Sequence, residues 1–326
     1  MQLGFVGLGA VVETAYLPAL RNLYGRPVRC FGFDVLPAKH PEGVTRCASL
    51  AELLATPLDT LFITTASLHH LEVLEQAIAS PISRIVIEKP IVATLPQIDK
   101  LNALLATPGA ASRVLALDHW MARIETAKRS LVDHFSDVVR IEGFLQEPSG
   151  YNAVGEPIAL NFSTGEPDTR TLRHPDGVIL DIGTHVLAML RETMRFLGGH
   201  DEMTLQVVAA KDRLGRAIAK GDLTTAEGEA HLQGSISGVQ VDIWLNKYAG
   251  PAGGQKGLRL LEAIEGDDIQ RWSLPGTIYE HCLAGHILGD KSLFERDPQE
   301  VSRTTRRRIE EVALLLTLQQ QLRGPH

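Results

Sequence analysis

Cysteine is scarce. Cys30, Cys47 and Cys282 are the three in 326 residues. They stand far apart and form no CxxC pair, which argues against a disulfide framework and a cysteine zinc site and fits a reducing cytoplasm. Long apolar runs are also lacking: none approaches the roughly 20 residues that span a bilayer. No basic segment precedes the first apolar run, so neither a membrane span nor a signal peptide is expected. Positive charge is not in excess. The formal net charge is -7 and the pI is near 6.0, whereas a general nucleic-acid binder would carry a basic face. The basic run Arg303 to Arg308 falls in a helical pattern just ahead of Glu310 and Glu311 and reads as a solvated helix face. Repeats and low-complexity segments are absent. The expectation is a cytoplasmic globular protein with neither nucleic acid nor membrane as partner.

What is present is length enough for two cores. In the first 121 residues short apolar runs alternate with helical patterns. Runs at Leu3 to Val6, Pro27 to Asp34, Asp59 to Ala66, Ser83 to Pro90 and Ser112 to Trp120 read as strands. Helical spacing falls at Val11 to Tyr24, Leu50 to Thr56, Leu68 to Ala79 and Leu95 to Ala106. That alternation predicts βαβ units, hence a doubly wound parallel sheet covered on both faces. From about Ile124 the pattern changes. A helix is expected at Thr126 to Phe135. Long alternating strands follow at Asp137 to Glu147, Met203 to Arg213, Ala226 to Gly238, Val239 to Tyr248 and Leu258 to Gly266, with a hairpin turn at Ser237 to Gln240. A polar loop is expected at Tyr151 to Gly177 and a final helix from about Pro298 to Leu322. The fold class is therefore α/β: a Rossmann domain over 1–121, then an α+β domain with a large, mainly antiparallel sheet over 122–326.

The segment "GFVGLGAVVETAYLPAL" (Gly4 to Leu20) places Gly7 and Gly9 between a strand and a helix. Gly7 allows a tight turn, and Gly9 lets backbone N–H groups at Ala10 and Val11 approach a pyrophosphate at the helix N-terminus. Val12 stands where a small residue normally packs helix against strand. Asp34 closes the second strand at the distance where an acid accepts the adenosine ribose hydroxyls. The plain alternative is a Gly-rich βα turn without ligand.

The segments "GLGAVVETAYLPAL", "EKP" (Glu88 to Pro90) and "GVILDIGTHVLAML" (Gly177 to Leu190), in that order, resemble the glucose–fructose oxidoreductase / inositol dehydrogenase (Gfo/Idh/MocA) family over nearly the whole chain. The resemblance implies an NAD-dependent, or NADP-dependent, dehydrogenase of a sugar or cyclitol. It places the cofactor along Gly7, Gly9, Ala10, Val11, Asp34, Thr65, Ser67, His69, Glu88 and Lys89. Three positions depart from the family pattern. Val12 replaces a small residue, Tyr16 stands where many members carry histidine, and Ala188 replaces a second aspartate.

The chemistry of these residues agrees. Lys89 lies at the carboxyl end of a parallel strand, the edge where open α/β sheets bind ligands. A lysine there can hold a substrate hydroxyl and its developing alkoxide, or it simply bridges two elements. Glu88 orients its surroundings. Asp181 and His185, four apart, share one face of an apolar helix. Histidine suits the base that takes the hydroxyl proton, and Asp181 orients substrate or imidazole. The alternative is an N-cap aspartate beside a satisfied core histidine. In "DHWMAR" (Asp118 to Arg123), which resembles a segment of glucose-6-phosphate dehydrogenases, His119, Trp120 and Arg123 are candidates to bind sugar hydroxyls, a sugar face and an anionic substituent. Trp120 is equally a packing residue. His69 and His70 also read as surface or packing positions. Adjacent histidines point to different faces and no third ligand is spaced to join them, so no metal site is expected.

The expected activity is hydride transfer between a nicotinamide cofactor and a hydroxyl or keto carbon of a sugar, a sugar derivative (phosphorylated or not) or a cyclitol. Two alternatives stay open: a glycosidase or other lyase or hydrolase with tightly held, recycled NAD, and a non-catalytic dinucleotide-binding regulator. The second sheet is expected to mediate a homodimer or homotetramer.

Overall fold

A computed structural model of the chain describes residues 1–25, 28–119, 135–161, 165–168, 172–200, 202–262, 267–269 and 277–324. The chain forms two compact units, Met1–Ala122 with Pro275–Val312, and Arg123–Leu274 with Ala313–His326. The sequence reading gave all of 122–326 to the second domain, whereas 275–312 packs with the first unit.

In the first unit β1 (Gln2–Val6), β2 (Arg29–Phe33), β3 (Val44–Arg46), β4 (Thr60–Ile63), β5 (Ile85–Ile87) and β6 (Val114–Ala116) form one sheet in the order β3-β2-β1-β4-β5-β6. Every pairing is parallel. Leu3, Phe5, Leu61, Phe62, Ile63 and Ile85 are fully buried, as continuous apolar strands covered on both faces must be. The strand order reverses between β1 and β4, the kind of point at whose carboxyl ends open α/β sheets bind ligands. A π-helical turn, Val12–Tyr16, leads into α1 (Leu17–Tyr24). The helices α2 (Leu50–Ala55), α3 (His70–Ala79) and α4 (Leu95–Leu105) follow. The fifth expected strand begins late, because 110–113 form a short helix, α5 (Ala110–Arg113). Arg113 donates to the carbonyls of Ile78, Ser80 and Ile82, which holds it in that turn.

In the second unit β7 (Val138–Gln146), β10 (Met203–Lys211), β11 (Glu229–Ile236), β12 (Val239–Asn246), β13 (Gln255–Glu262) and β14 (Asp267–Ile269) are ordered β10-β11-β12-β7-β13-β14. Only β12–β7 is parallel. Ser237 and Gly238, with φ of 52° and 81°, make the two-residue turn between β11 and β12. That conformation fits a tight hairpin. Part of the expected polar loop forms a small hairpin, β8 (Ser149–Tyr151) with β9 (Pro157–Ala159). The apolar run 178–190 is not one helix. It forms α6 (Val178–Asp181) and α7 (Gly183–Phe196), parted at Ile182. The inner sheet face packs on α7: a methyl at Gly143 would lie 2.7 Å from Val186 Cγ1. On the opposite face Trp244 stacks between Phe144 and His231, at 5.3 and 4.9 Å. There buried Asp242 accepts from His231, Gln233 and Arg140. The expected helix at Thr126 to Phe135 falls outside the described residues save Phe135.

The closing segment runs through α8 (Ile278–Cys282), α9 (Leu293–Arg296) and α10 (Pro298–Arg323). Thr277 and Glu280 form a capping box at the start of α8. Buried Thr305 on α10 donates to Val114 O and accepts from Ala116 N, satisfying the free edge of β6. The basic run is not wholly solvated. Arg307 and Arg308 are buried and paired with Glu300 and Glu311, because burying one face of α10 takes those two cations with it and obliges them to be paired. Among the described residues no helix is long and apolar enough to cross a membrane.

Candidate active site

The glycine turn follows directly from β1. Gly7 has φ +92°, and a methyl there would lie 2.7 Å from Thr65 N and 2.8 Å from Thr64 O. This position therefore requires glycine for both conformation and space. Thr64 Oγ1 donates to Gly7 O at 2.7 Å and fixes the turn from β4. At Gly9 the situation is opposite: a methyl there would have nothing within 4 Å of it, so the protein leaves open the room that a pyrophosphate would need. Ala10 is exposed and Val11 half-buried at the helix start. Val12 is fully buried.

Asp34 does more than end β2. Its Oδ2 accepts from Leu8 N at 2.7 Å and its Oδ1 from Leu36 N at 2.8 Å. Each oxygen keeps a second lone pair for a ligand hydroxyl. Arg46 donates to the backbone carbonyls of Asp34 and Lys39. A cation therefore stands beside Asp34, and sequence spacing gave no sign of it.

At the ends of β4 and β5, Thr65 and Ser67 are half-buried and His69 is exposed. His70 is buried, which leaves packing of its two expected roles, and it is also hydrogen-bonded. Its Nε2 lies 2.8 Å from Thr65 O and its Nδ1 3.0 Å from Pro90 O. The imidazole thus joins the loop after β4 to the turn after β5. Both partners are carbonyls, but burial outweighs them and holds the pKa below the usual 6.5, so the neutral ring donates to one of them.

Glu88 is buried, and Lys89 beside it is half-buried. Glu88 Oε1 accepts from Tyr16 Oη at 2.7 Å, and Oε2 accepts from the Lys89 backbone N–H at 3.1 Å. His119, 2% exposed, brings Nε2 to 3.1 Å from Tyr16 Oη and 3.4 Å from Glu88 Oε1. Its ring lies on Tyr279 at 3.8 Å. Burial, and then the Glu88 charge, push the phenols of Tyr16 and Tyr279 and the thiol of Cys282 well above their ordinary values. Trp120 and Arg123 lie outside the described residues.

In the second unit Asp181 closes α6 and His185, half-buried, stands in the first turn of α7. Asp181 forms an ion pair with Lys247, just past β12. Sequence reasoning missed this lysine, since a single lysine after an alternating strand carries no signal. Burial raises the neighbouring Tyr248 phenol, and its other electrostatic neighbours are Lys247, Arg213, Asp168 and Asp181. Among the described residues no group of three or more His, Cys, Asp or Glu could hold a metal ion.

The β3-β2-β1-β4-β5-β6 parallel sheet defines a Rossmann-like architecture, followed by a mixed, mainly antiparallel sheet. Solved structures share this plan. An oxidoreductase from Thermotoga maritima is 15% identical with a TM-score of 0.66, covering 98% of this chain and 95% of its own. UDP-N-acetylglucosamine 3-dehydrogenase from Acidithiobacillus ferrooxidans is 15% identical with a TM-score of 0.61, covering 98% and 99%. scyllo-Inositol dehydrogenase from Lactobacillus casei, solved with NAD(H) and scyllo-inositol, is 13% identical with a TM-score of 0.61, covering 98% and 96%. No protein-family model and no curated protein matches by sequence. At these identities the likeness shows the fold.

Proposed function

We propose that the chain is a nicotinamide-dependent oxidoreductase acting on a hydroxyl or keto carbon of a sugar, sugar derivative or cyclitol, with NAD preferred over NADP. The observation that carries this reading is the glycine turn at the switch point. Gly9 leaves room for a phosphate beside backbone N–H groups, and Asp34 stands ready for ribose hydroxyls. The named activities of two structural neighbours support the substrate class.

The residues present fit a dinucleotide. The N–H groups after Gly9 would take the pyrophosphate, Asp34 the adenosine ribose, and Thr65, Ser67 and His69 the loop side of the cofactor. When bound, the nicotinamide supplies the hydride acceptor. Oxidation of CH–OH to C=O also releases the hydroxyl proton, for which His185 is the acceptor in this reading, while Lys89 holds the oxygen as negative charge develops. The Asp181–Lys247 pair fixes the polar end of α6 ahead of His185. A cytoplasmic setting accords with three buried cysteines, none of them in a disulfide. The outer face of the second sheet, with its aromatic row, is proposed to pair copies into a homodimer or homotetramer, which light scattering would detect.

The test is direct. NADH binding is followed by fluorescence, and reduction of NAD at 340 nm is followed across sugars, sugar phosphates, nucleotide sugars and cyclitols. Absence of cofactor binding overturns the reading. Tightly held cofactor without net reduction points instead to recycled NAD.

A further inference from the structure

Glu88 is a buried carboxylate with an unusual set of partners. Among the described residues it meets the Tyr16 hydroxyl, the Lys89 backbone N–H and the His119 imidazole. No lysine or arginine side chain is among them. A buried carboxylate needs hydrogen-bond donors. The walls of this site are aromatic: Tyr16 packs against Phe5, Phe62 and Tyr279 at 5.8, 5.1 and 5.2 Å.

The donors align in one direction. The Tyr16 hydroxyl donates to Glu88 Oε1, so its oxygen lone pairs can accept an N–H from His119 Nε2 at 3.1 Å. His119 is held in place by Tyr279. Glu88 Oε2 then receives the backbone N–H of Lys89. A chain of hydrogen bonds runs from His119 through Tyr16 and Glu88 to the main chain of Lys89. All four residues belong to the first unit.

We propose that Tyr16 is a positioning residue for Lys89, acting through Glu88. The proposal rests on the reading of Lys89 as the residue that holds the reacting oxygen. The hydroxyl anchors one carboxylate oxygen, which leaves the other fixed to grip the Lys89 peptide. Without it, Glu88 is free to turn toward another donor and release that grip. Tyr16→Phe removes the anchor while keeping the ring that packs on Phe5 and Phe62.

The experiment uses the full chain with its lysines reductively methylated with ¹³C. The Lys89 resonance is identified by its loss in Lys89→Arg. In Tyr16→Phe that resonance moves by more than its linewidth while those of exposed Lys39 and Lys100 stay in place. Glu88→Gln, close to isosteric, moves it as well. Adding Tyr16→Phe to Glu88→Gln then moves it no further, because the path is already cut. An unmoved Lys89 resonance in Tyr16→Phe overturns the proposal, as does full additivity of the two displacements. Should Tyr16→Phe fail to fold, an unmoved resonance in Glu88→Gln overturns it alone. NADH fluorescence on the unmodified protein decides the functional reading separately: cofactor binding with an unmoved resonance rejects only the role of Tyr16, whereas a moved resonance without cofactor binding rejects only the oxidoreductase.

Discussion

The carboxylate of Asp34 accepts the backbone N–H of Leu8 at 2.7 Å, so the acid that ends β2 also braces the turn between Gly7 and Gly9. In the proposed reading one side chain thus serves the ribose and the phosphate loop together. Asp34→Ala is expected to weaken NADH binding by about tenfold, on the order of one charge-assisted hydrogen bond, and to narrow the preference over NADPH. Arg46, held at the Asp34 and Lys39 carbonyls, is the cation available to a 2′-phosphate. Arg46→Ala is therefore expected to reduce NADPH binding more than NADH binding. Fluorescence titration reads all of these, and equal affinity of the native protein for both cofactors would refute the predicted preference.

The two glycines should part company on substitution. Gly7→Ala forces a side chain into positive φ and against the Thr64–Thr65 backbone, which is expected to cost roughly 2–4 kcal/mol in a denaturant titration. Gly9→Val places its Cβ where, chain neighbours aside, no protein atom lies within 4 Å. It should fold with a nearly unchanged midpoint and still lose NADH affinity. Equal destabilisation by both would contradict the geometry, and unchanged affinity in Gly9→Val would contradict the phosphate loop.

These contrasts mark what could be read in the sequence. The parallel sheet was legible because its strands are short apolar runs with helical spacing between them, and the second sheet because its strands alternate. The pairing of Thr305 with the edge of β6 was not legible, since contacts across 191 residues leave no local trace. That contact is one of the ties that join 275–312 to the first unit, with Tyr279 against Tyr16 and His119. The break at Ile182 was not read, although Asp181 and Gly183 flank it within the apolar run. At the site, Gly7, Gly9 and Asp34 announced themselves by spacing. Tyr16, His70 and Lys247 did not, because their meaning comes from a partner: Glu88, the Thr65 and Pro90 carbonyls, and Asp181.

Lys247 is mostly buried and Asp181 partly so, at 11% and 26% side-chain exposure. Removing the cation leaves a carboxylate with a lost partner in a poorly solvated place. Lys247→Met is expected to lower stability by about 1–3 kcal/mol, between exposed and fully buried pairs. Asp181→Asn added to it should restore part of the loss. Urea titration of the four proteins gives the coupling, and strict additivity would show that the pair is not energetically joined.

In the proposed reading His185 bears on turnover rather than on cofactor binding. A positioned base contributes on the order of 10²–10⁴-fold. His185→Ala is therefore expected to lower kcat by about that factor on a substrate found in the panel. NADH affinity should stay close to native, because the glycine turn and Asp34 belong to the first unit. Near-normal kcat in this variant would move the base elsewhere.

His70 predicts a response to acid. Burial holds its pKa in the folded protein below the 6.5 of an unfolded chain. Between those two values the unfolded state binds a proton that the folded state refuses. Stability is therefore complete above about pH 6.5 and falls as pH drops toward the folded value, at up to about 1.4 kcal/mol per pH unit for one proton. Glu156, Asp212 and Glu300, whose pKa values are lowered in the fold, act only further down, as pH falls from their unfolded values toward their folded ones. Replacing the imidazole by a group that does not titrate removes the first of these losses. His70→Gln is thus expected to be less stable than the native protein at pH 7.5, since one tie between Thr65 and Pro90 is weakened. Its urea midpoint should fall less steeply between pH 6.5 and 5.5. Parallel curves for the two proteins across that interval would mean that the buried ring does not carry the acid sensitivity.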